Sequence, residues 1–414
     1  MKKLTALILA AVMLLSLTAC GAEKSTAAEE TAAAFTPALA TDTEGTIYFV
    51  GSWGNFEALD SVAADFKEYY PNVNIVYIKL DDYRNDLANR FATGEEIDLF
   101  MCDWWDVEYP ANANIIANAE DLNSAGIDFS NIDAELLSTG LADGAQMMVP
   151  LYLMMWGYAV NLDLFKAAGA EVPTDLSGLY TACEKLAAAG CTQPIYVNSS
   201  HYGRTFIGYF MEQTASASDD MAALDATLAR MNEVTGSGYV SFEGDTLEDS
   251  YNAMILRFFE GDVPMMSIST NNFSGTAKRE AKSESFTANP FEYTFIPAVL
   301  SESGSAYVDQ LNSVYVGVYR NSPNLELANE FLRFMLTDEE MLVLQQVKNM
   351  PTSNANNGFD SFPYLQSAQL FNVTAEGMYS LNEEYGLNTL SAYKSDDSSA
   401  MYEKMEAYLA DGLK

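Results

Sequence analysis

The chain has 414 residues, enough for two or three ordinary domains or one two-lobed protein. Hydrophobic residues make up 49%, ample for a core, and 58 acids face 21 bases, for a formal charge of −37. No basic stripe is available to neutralise phosphates, which argues against nucleic acid and against electrostatic docking on anionic lipid. Excess acid is the pattern of a secreted surface kept soluble by charge.

Residues 1–19 read as a signal peptide, with Lys2 and Lys3 as its charged start and Leu4–Leu17 as an apolar run too short to span a bilayer. The run ends in "LTACG". A leucine three positions before a cysteine, with small residues between, resembles the bacterial lipoprotein lipobox. That resemblance implies that Cys20 becomes a lipidated N-terminus after cleavage. An ordinary signal peptide with a chance cysteine is the alternative. Residues 20–44, rich in Ala, Thr and Glu, read as a flexible linker.

"GTIYFV" (45–50) is a short apolar strand, and Phe56, Leu59, Val62, Ala63 and Phe66 then recur at helical spacing up to Pro71. "VNIVYIKL" (73–80) is a second strand. A helix follows, from Asp81 as N-cap to Gly94 as terminating glycine, and "IDLFMC" is the third strand. Strand–helix alternation of this kind predicts a parallel α/β sheet. "MMVPLYLMMWGYAVN" (147–161) is a long extended stretch interrupted by Pro150. A helix with Leu179, Cys183 and Leu186 precedes the strand "PIYVN". Three helical segments near 204–215, 219–235 and 246–260 lead to the strand "PMMSIST" (264–270). "YTFIPAVL" (293–300) and "SVYVGVYR" (313–320) are further strands. The helix in "SPNLELANEFLRFML" takes Ser322 as cap and Pro323 at its first position, and "TDEE" (337–340) is a capping box opening the next. Mostly helical segments finish the chain.

Chemistry is sparse. His201 is the one histidine, so Ser-His-Asp, Cys-His and histidine-based zinc machinery have almost no material. Cys102, Cys183 and Cys191 lack metal-ligand spacing and read as small buried residues, with a Cys183–Cys191 pair dependent on geometry. "DLNSAGIDFSNI" (121–132) opens like a calcium loop but carries Ala125 and Ile132 where ligands are required. No metal, cofactor or catalytic residue is expected.

Ligands of open α/β sheets bind beyond the carboxyl ends of the strands. Trp53 follows the first strand, Trp104 and Trp105 follow the third within "FMCDWWDVEYP", and Trp156 lies just past Pro150. Neighbouring side chains on an extended backbone point to opposite faces, so Trp104 and Trp105 cannot do the same job.

At these stations the chain resembles the extracellular solute-binding proteins of ABC importers, in the large carbohydrate-binding group. The resemblance runs from about Thr46 to the C-terminus. It rests on "IYFVGSW", "FKEYYPNVNIVY", "ATGEEIDLFMCD", "VPLYLMMWGYAVNLDLFKAAG" with "EVPTDLSGLYTACEKL", "FFEGDVPMM" and "NLELANEFLRFMLTDEE", in that order. It implies a two-lobed periplasmic-binding-protein-like α/β fold with a hinge and an interlobe cleft, and no catalysis. The expected N-terminal lobe is 45–149 with 298–337, and the C-terminal lobe 152–292 with 340–414. Crossings are expected near Pro150, Pro297 and Thr337.

A sugar presents apolar C–H faces rimmed by hydroxyls, so its site needs aromatic platforms and planar hydrogen-bonding groups. Trp53, Trp104, Trp105 and Trp156 are the candidate platforms. Asp103, Asn271, Asn272, Asp309 and Asn312 are candidate hydroxyl partners, with Asp106 the weaker acid of the loop. Asp103 can instead cap the following helix, and Trp156 can instead pack beneath the crossing. Many relatives carry Gly-x-Trp after the "A-M" strand. Here the text is "PMMSISTNNFSG", so Phe273 or the asparagines must serve, and Tyr364, Tyr379 and Tyr385 are later aromatics. The resemblance implies a monomer held on the outer membrane face by Cys20, delivering a carbohydrate, expected to be an oligosaccharide, to permease subunits. A secreted glycoside hydrolase and a binder feeding a sensor kinase are the alternatives.

Overall fold

The computed structural model describes residues 35–52, 56–102, 105, 112–198, 202–214, 220–243, 247–304, 306–366 and 370–373. The signal-peptide and Cys20 expectations lie outside them, as does the helical reading of residues 374–414.

The alternation at the start folds as read. Strands β1 (Gly45–Gly51), β2 (Val73–Lys79) and β3 (Leu99–Cys102) are parallel, with β1 between the other two. The Phe56–Tyr69 helix connects β1 to β2 and buries Ala58, Leu59, Val62 and Phe66, the stripe that 3.6-residue periodicity puts on one face. The next helix is Tyr83–Thr93, and Gly94 ends it at φ 71°. Its N-cap is Asp82, one residue past the expected Asp81.

After a small hairpin, β4 (Leu141–Ala142) with β5 (Ala145–Gln146), comes β6 (Val149–Asn161). The remaining strands are β7 (Ile195–Asn198), β8 (Val240–Glu243), β9 (Met265–Ser269), β10 (Tyr293–Pro297), β11 (Ala306–Val318) and β12 (Leu370–Val373). They form one ten-stranded sheet in the order β2-β1-β3-β11-β6-β9-β7-β8, with β10 on β6 and β12 on β11.

Two of these strands carry the sheet from one core to another. Along β11, Val314, Val316 and Val318 face a core with Ile47, Phe49 and Phe66, while Tyr315 faces the opposite layer with Trp105 and Phe100. Earlier on the same strand, Ala306 and Val308 pack with Phe258, Phe273 and Phe295. β6 repeats the pattern. Val149 and Leu151 join the first core, Leu153, Met155 and Ala159 the Phe273 layer, and Tyr158 and Val160 the layer of Leu179, Phe206 and Met265. Side chains alternate across each strand, so each lobe gains a core layer on both sheet faces. The fold is therefore two-lobed α/β, as expected.

Pro150 does not break β6. It pairs with Tyr315 beside a register shift in β11, where a missing N–H costs little, and its carbonyl accepts the Ser353 hydroxyl. Pro297 closes β10 between Ile296 and Val299 of the second lobe, and Thr337 sits between Leu336 and Met341 of the first, so neither marks a change of core. The Leu325–Met335 helix starts two residues later than expected. Asn324 is its N-cap, and Ser322 uses its hydroxyl to accept the Asn324 N–H and to donate to Asp98. Thr337 caps the Asp338–Lys348 helix as read, accepting the Glu340 N–H at 3.4 Å. β8 and β12 are strands that the periodicity did not reveal. Cys102 and Cys183 are buried, and Cys183 and Cys191 are free thiols rather than a disulfide pair.

Candidate ligand-binding cleft

Three segments run side by side where the cores meet. β6 passes at residues 152–154. β11 shifts register between Asp309 and Val314, and the Met154 N–H fills the gap by donating to Ser313 Oγ at 3.0 Å. The third segment, 351–353, bonds to β6 through Leu153 N–H to the Pro351 carbonyl (2.9 Å) and Ser353 N–H to the Leu151 carbonyl (3.3 Å). Asp309 and Asn312 thus lie on a crossing strand, at its irregularity.

Of the two tryptophans after β3, Trp105 is described. Trp105 is fully buried, its indole N–H donates to the Thr139 carbonyl at 2.9 Å, and its ring lies 6.2 Å from that of Tyr315. The Tyr315 and Thr139 hydroxyls share a further bond of 2.8 Å. Trp105 therefore braces the end of β3 and is corrected from platform to support. Trp53, Asp103, Trp104, Asp106 and His201 lie outside the described residues. Trp156, on β6 opposite Ser269, is half-buried, and the Arg204 guanidinium lies over its ring, 5.4 Å from the centroid. A cation held there occupies one face of the indole.

Phe273 is also corrected. It is 5% exposed and packs edge-on against Tyr293 and Phe295, so it is a core aromatic. Its neighbours behave differently. The one-turn helix Thr270–Ser274 is fixed by the Thr270 hydroxyl, which accepts the Met155 N–H at 3.0 Å and donates to the Leu153 carbonyl at 2.8 Å. Ser269 caps it by accepting the Asn272 N–H. This leaves Asn271 and Asn272 half-exposed on the wall of a pocket of about 630 Å³.

That pocket has walls from both lobes. Glu57 opens the Phe56–Tyr69 helix and Lys348 ends the Asp338–Lys348 helix, and both helices pack in the first core. Asn271, Asn272, Lys278 and Arg279 come from the segment around Phe273 in the second. Lys278 Nζ reaches Glu57 Oε1 at 3.1 Å across the boundary. Glu57's own backbone N–H at the helix start, and then Lys278, hold its carboxyl below the usual range. Burial pushes the Lys348 ammonium down to about 8, Lys278 acts in the same direction, and Glu57 opposes it. Arg279 donates to the Gly275 carbonyl at 3.0 Å. Amides, a carboxylate and ammonium groups together can accept from and donate to vicinal hydroxyls.

A second pocket of about 630 Å³, lined by Asp163, Glu260 and Glu284 among others, lies wholly on elements of the other two core layers. Glu57, Lys278 and Lys348 escaped the sequence reading because each looks like an ordinary helix-end charge. The one available signal was the basic run "KREAK" beginning six residues after Asn272.

Comparisons with known proteins agree with this architecture. The family model described as "Bacterial extracellular solute-binding protein" matches residues 51–342. No curated protein sequence matches. Among solved structures, the GacH receptor of Streptomyces glaucescens, studied unliganded and with acarbose, superposes with a TM-score of 0.63 at 17% identity, covering 89% of this chain and 97% of its own. Maltose-bound T. maritima MalE3 gives 0.63 at 15% identity, with coverages of 89% and 99%. The cyclic alpha-maltosyl-1,6-maltose binding protein of Arthrobacter globiformis gives 0.60 at 17% identity, with coverages of 90% and 98%. At these identities the likeness is one of fold. With the family model spanning well over half of the chain and a two-walled pocket between its lobes, the protein belongs to the bacterial extracellular solute-binding protein family.

Proposed function

We propose that this protein captures a saccharide between its lobes by hinge closure and delivers it to the permease of an ABC importer. The observation that carries the reading is the pocket whose walls come from both lobes, with Asn271 and Asn272 facing Glu57 and Lys348 across it. Closure about a few crossing residues changes the volume of such a pocket and of no single-lobe one. The structurally similar proteins named above carry acarbose, maltose and a cyclic maltosyl sugar in their descriptions, which supports a carbohydrate here.

The hinge, on this reading, comprises residues near Pro150–Leu153, Asp309–Val314 and Pro351–Ser353. The first lobe is about 45–150 with 314–350, and the second about 154–308 with 359–366. This moves the second and third crossings from Pro297 and Thr337 to the points where the core layers change. Trp104 is assigned as the sugar platform, with Trp53 and Trp156 as further stacking surfaces and Asp103, Asp309 and Asn312 as hydroxyl partners. Cys20 carries the lipid that holds the protein on the extracytoplasmic membrane face, and the protein acts as a monomer without chemistry on its ligand.

A thermal-shift screen across neutral and acidic oligosaccharides, peptides and polyamines tests this. A saturable stabilisation by a saccharide, with the ligand recovered intact by mass spectrometry, is expected. Stabilisation by peptides or polyamines alone overturns the sugar assignment, and a cleaved glycan overturns the assignment as a binder.

A further inference from the structure

From Phe35 onward, the segment read as a linker lies on the first lobe. Exposure alternates residue by residue from Phe35 to Ala40, with Phe35, Pro37 and Leu39 half-buried and Thr36, Ala38 and Ala40 exposed. That is the pattern of an extended chain lying against a surface. Phe35 meets Tyr69 and Phe334 edge-on at centroid distances of 5.2 and 4.9 Å, and the Arg333 guanidinium lies 4.4 Å from its own centroid. Leu39 packs against the same core.

The backbone of the segment is held as well. The Ala38 N–H donates to Glu330 Oε1 at 2.8 Å, the Leu39 N–H donates to the Tyr70 hydroxyl at 3.2 Å, and Arg333 donates to the Thr36 carbonyl at 2.8 Å. The Tyr70 hydroxyl in turn donates to Glu330, and Arg333 pairs with the same carboxylate at 2.7 Å. These bonds account for an acid that its helix alone does not explain. Glu330 is 4% exposed among Leu327, Phe331 and Phe334, where a carboxylate is costly unless it is paired and hydrogen-bonded. Tyr69 ends the helix that Glu57 opens, so the docked segment lies about 18 Å along that helix from the interlobe pocket.

We infer that residues 35–40 are a strap that fastens the membrane tether to the first lobe at its end remote from the cleft, leaving residues 20–34 as the working length of the tether. This rests on the lipid proposed at Cys20. The fifteen residues 20–34 extend at most about 50 Å, against about 85 Å for the twenty-five residues 20–44 once the strap is released. The strap thus sets both the reach of the tether and the point at which the first lobe is held, and it keeps that point away from the cleft.

Two measurements on the full chain test this. Hydrogen exchange should find the Ala38 and Leu39 amides at least about 10-fold slower than in an unstructured chain. The double variant Phe35→Ala with Ala38→Pro removes the docked ring and the N–H that Glu330 accepts, and leaves every side chain of the lobe in place. In it the Leu39 amide should lose that protection. The second measurement anchors the lipidated chain on phosphatidylcholine vesicles carrying an acceptor dye on their headgroups. The donor dye sits on Asn85→Cys, an exposed first-lobe position, in a Cys191→Ser background. Energy transfer should be lower and more broadly distributed in the double variant than in the strapped chain, because its tether is ten residues longer. Unprotected amides at 38 and 39, or identical transfer distributions for the two chains, overturn the inference. Protected amides in a chain that carries no lipid overturn the Cys20 reading, and with it the tether's role, while leaving the docked segment standing.

Discussion

Glu340 offers a pH experiment whose sign and size follow from its surroundings. It lies in the first turn of the Asp338–Lys348 helix, 4% exposed, with Asp65 and Glu339 as charged neighbours. Its Oε2 has no hydrogen-bond partner among the described residues. Burial first, and then those two acids, raise its pKa from 4.5 to about 8. The folded state therefore holds a proton that the unfolded chain releases above about pH 4.5. Stability from this group is fully present below pH 4.5 and is lost as pH rises towards 8. At about 1.4 kcal/mol per pH unit the loss has a ceiling of roughly 5 kcal/mol. Glu340→Gln keeps the shape and the backbone cap but removes the titration. Urea unfolding at pH 5, 6.5 and 8 should find the variant within about 1 kcal/mol of wild type at pH 5 and about 2–4 kcal/mol more stable at pH 8. Parallel pH profiles for the two proteins would refute the reasoning. Asp65, whose own pKa is raised by burial and then by Glu68, provides a check: Asp65→Asn should lower the midpoint of the wild-type profile.

Other consequences concern the parts that hold the cleft. Trp105→Phe removes the donor to the Thr139 carbonyl and should cost about 1–3 kcal/mol in urea unfolding, an effect that a surface platform would not produce. Thr270→Val leaves the Met155 N–H without its hydroxyl acceptor. It should destabilise by a similar amount and weaken ligand affinity, because the turn bearing Asn271 and Asn272 loses its tie to β6. Gly157→Ala places a methyl group 2.0 Å from the Ile296 carbonyl oxygen, so a fall in stability of about 2–3 kcal/mol or more is expected by thermal denaturation.

Much of the fold was legible because the apolar spacing that makes a strand or helix is local. β1, the Phe56–Tyr69 helix and β2 follow from periods of two and 3.6, and Thr337 announced its helix by capping chemistry. Pro150 misled because a proline in a strand is tolerated or excluded according to its partner, and the register shift beside Tyr315 is not local information. The proposed lobe crossings rest on the same kind of non-local information. Nothing around Pro297 or Thr337 says which core the flanking residues join, whereas Asp309–Val314 is identified only by pairing with β6.

The site was less legible than the fold. Alternation required Trp104 and Trp105 to differ, but Thr139, which decides that Trp105 is the brace, is 34 residues away. Phe273 and Asn272 are adjacent and equally plausible on paper, and the capped turn at Ser269 sends one into the core and leaves the other in the pocket. The pocket's charged residues escaped because Glu57, Lys278, Arg279 and Lys348 are brought together from helices far apart in the sequence.

The central claim is that the lobes close on a saccharide. Small-angle X-ray scattering of the full chain, with and without saturating amounts of the glycan that stabilises it, tests that claim most directly. The account predicts a decrease in the radius of gyration on saturation, with a matching loss of scattering from open forms. A saturated complex whose radius of gyration equals that of the free protein would contradict it.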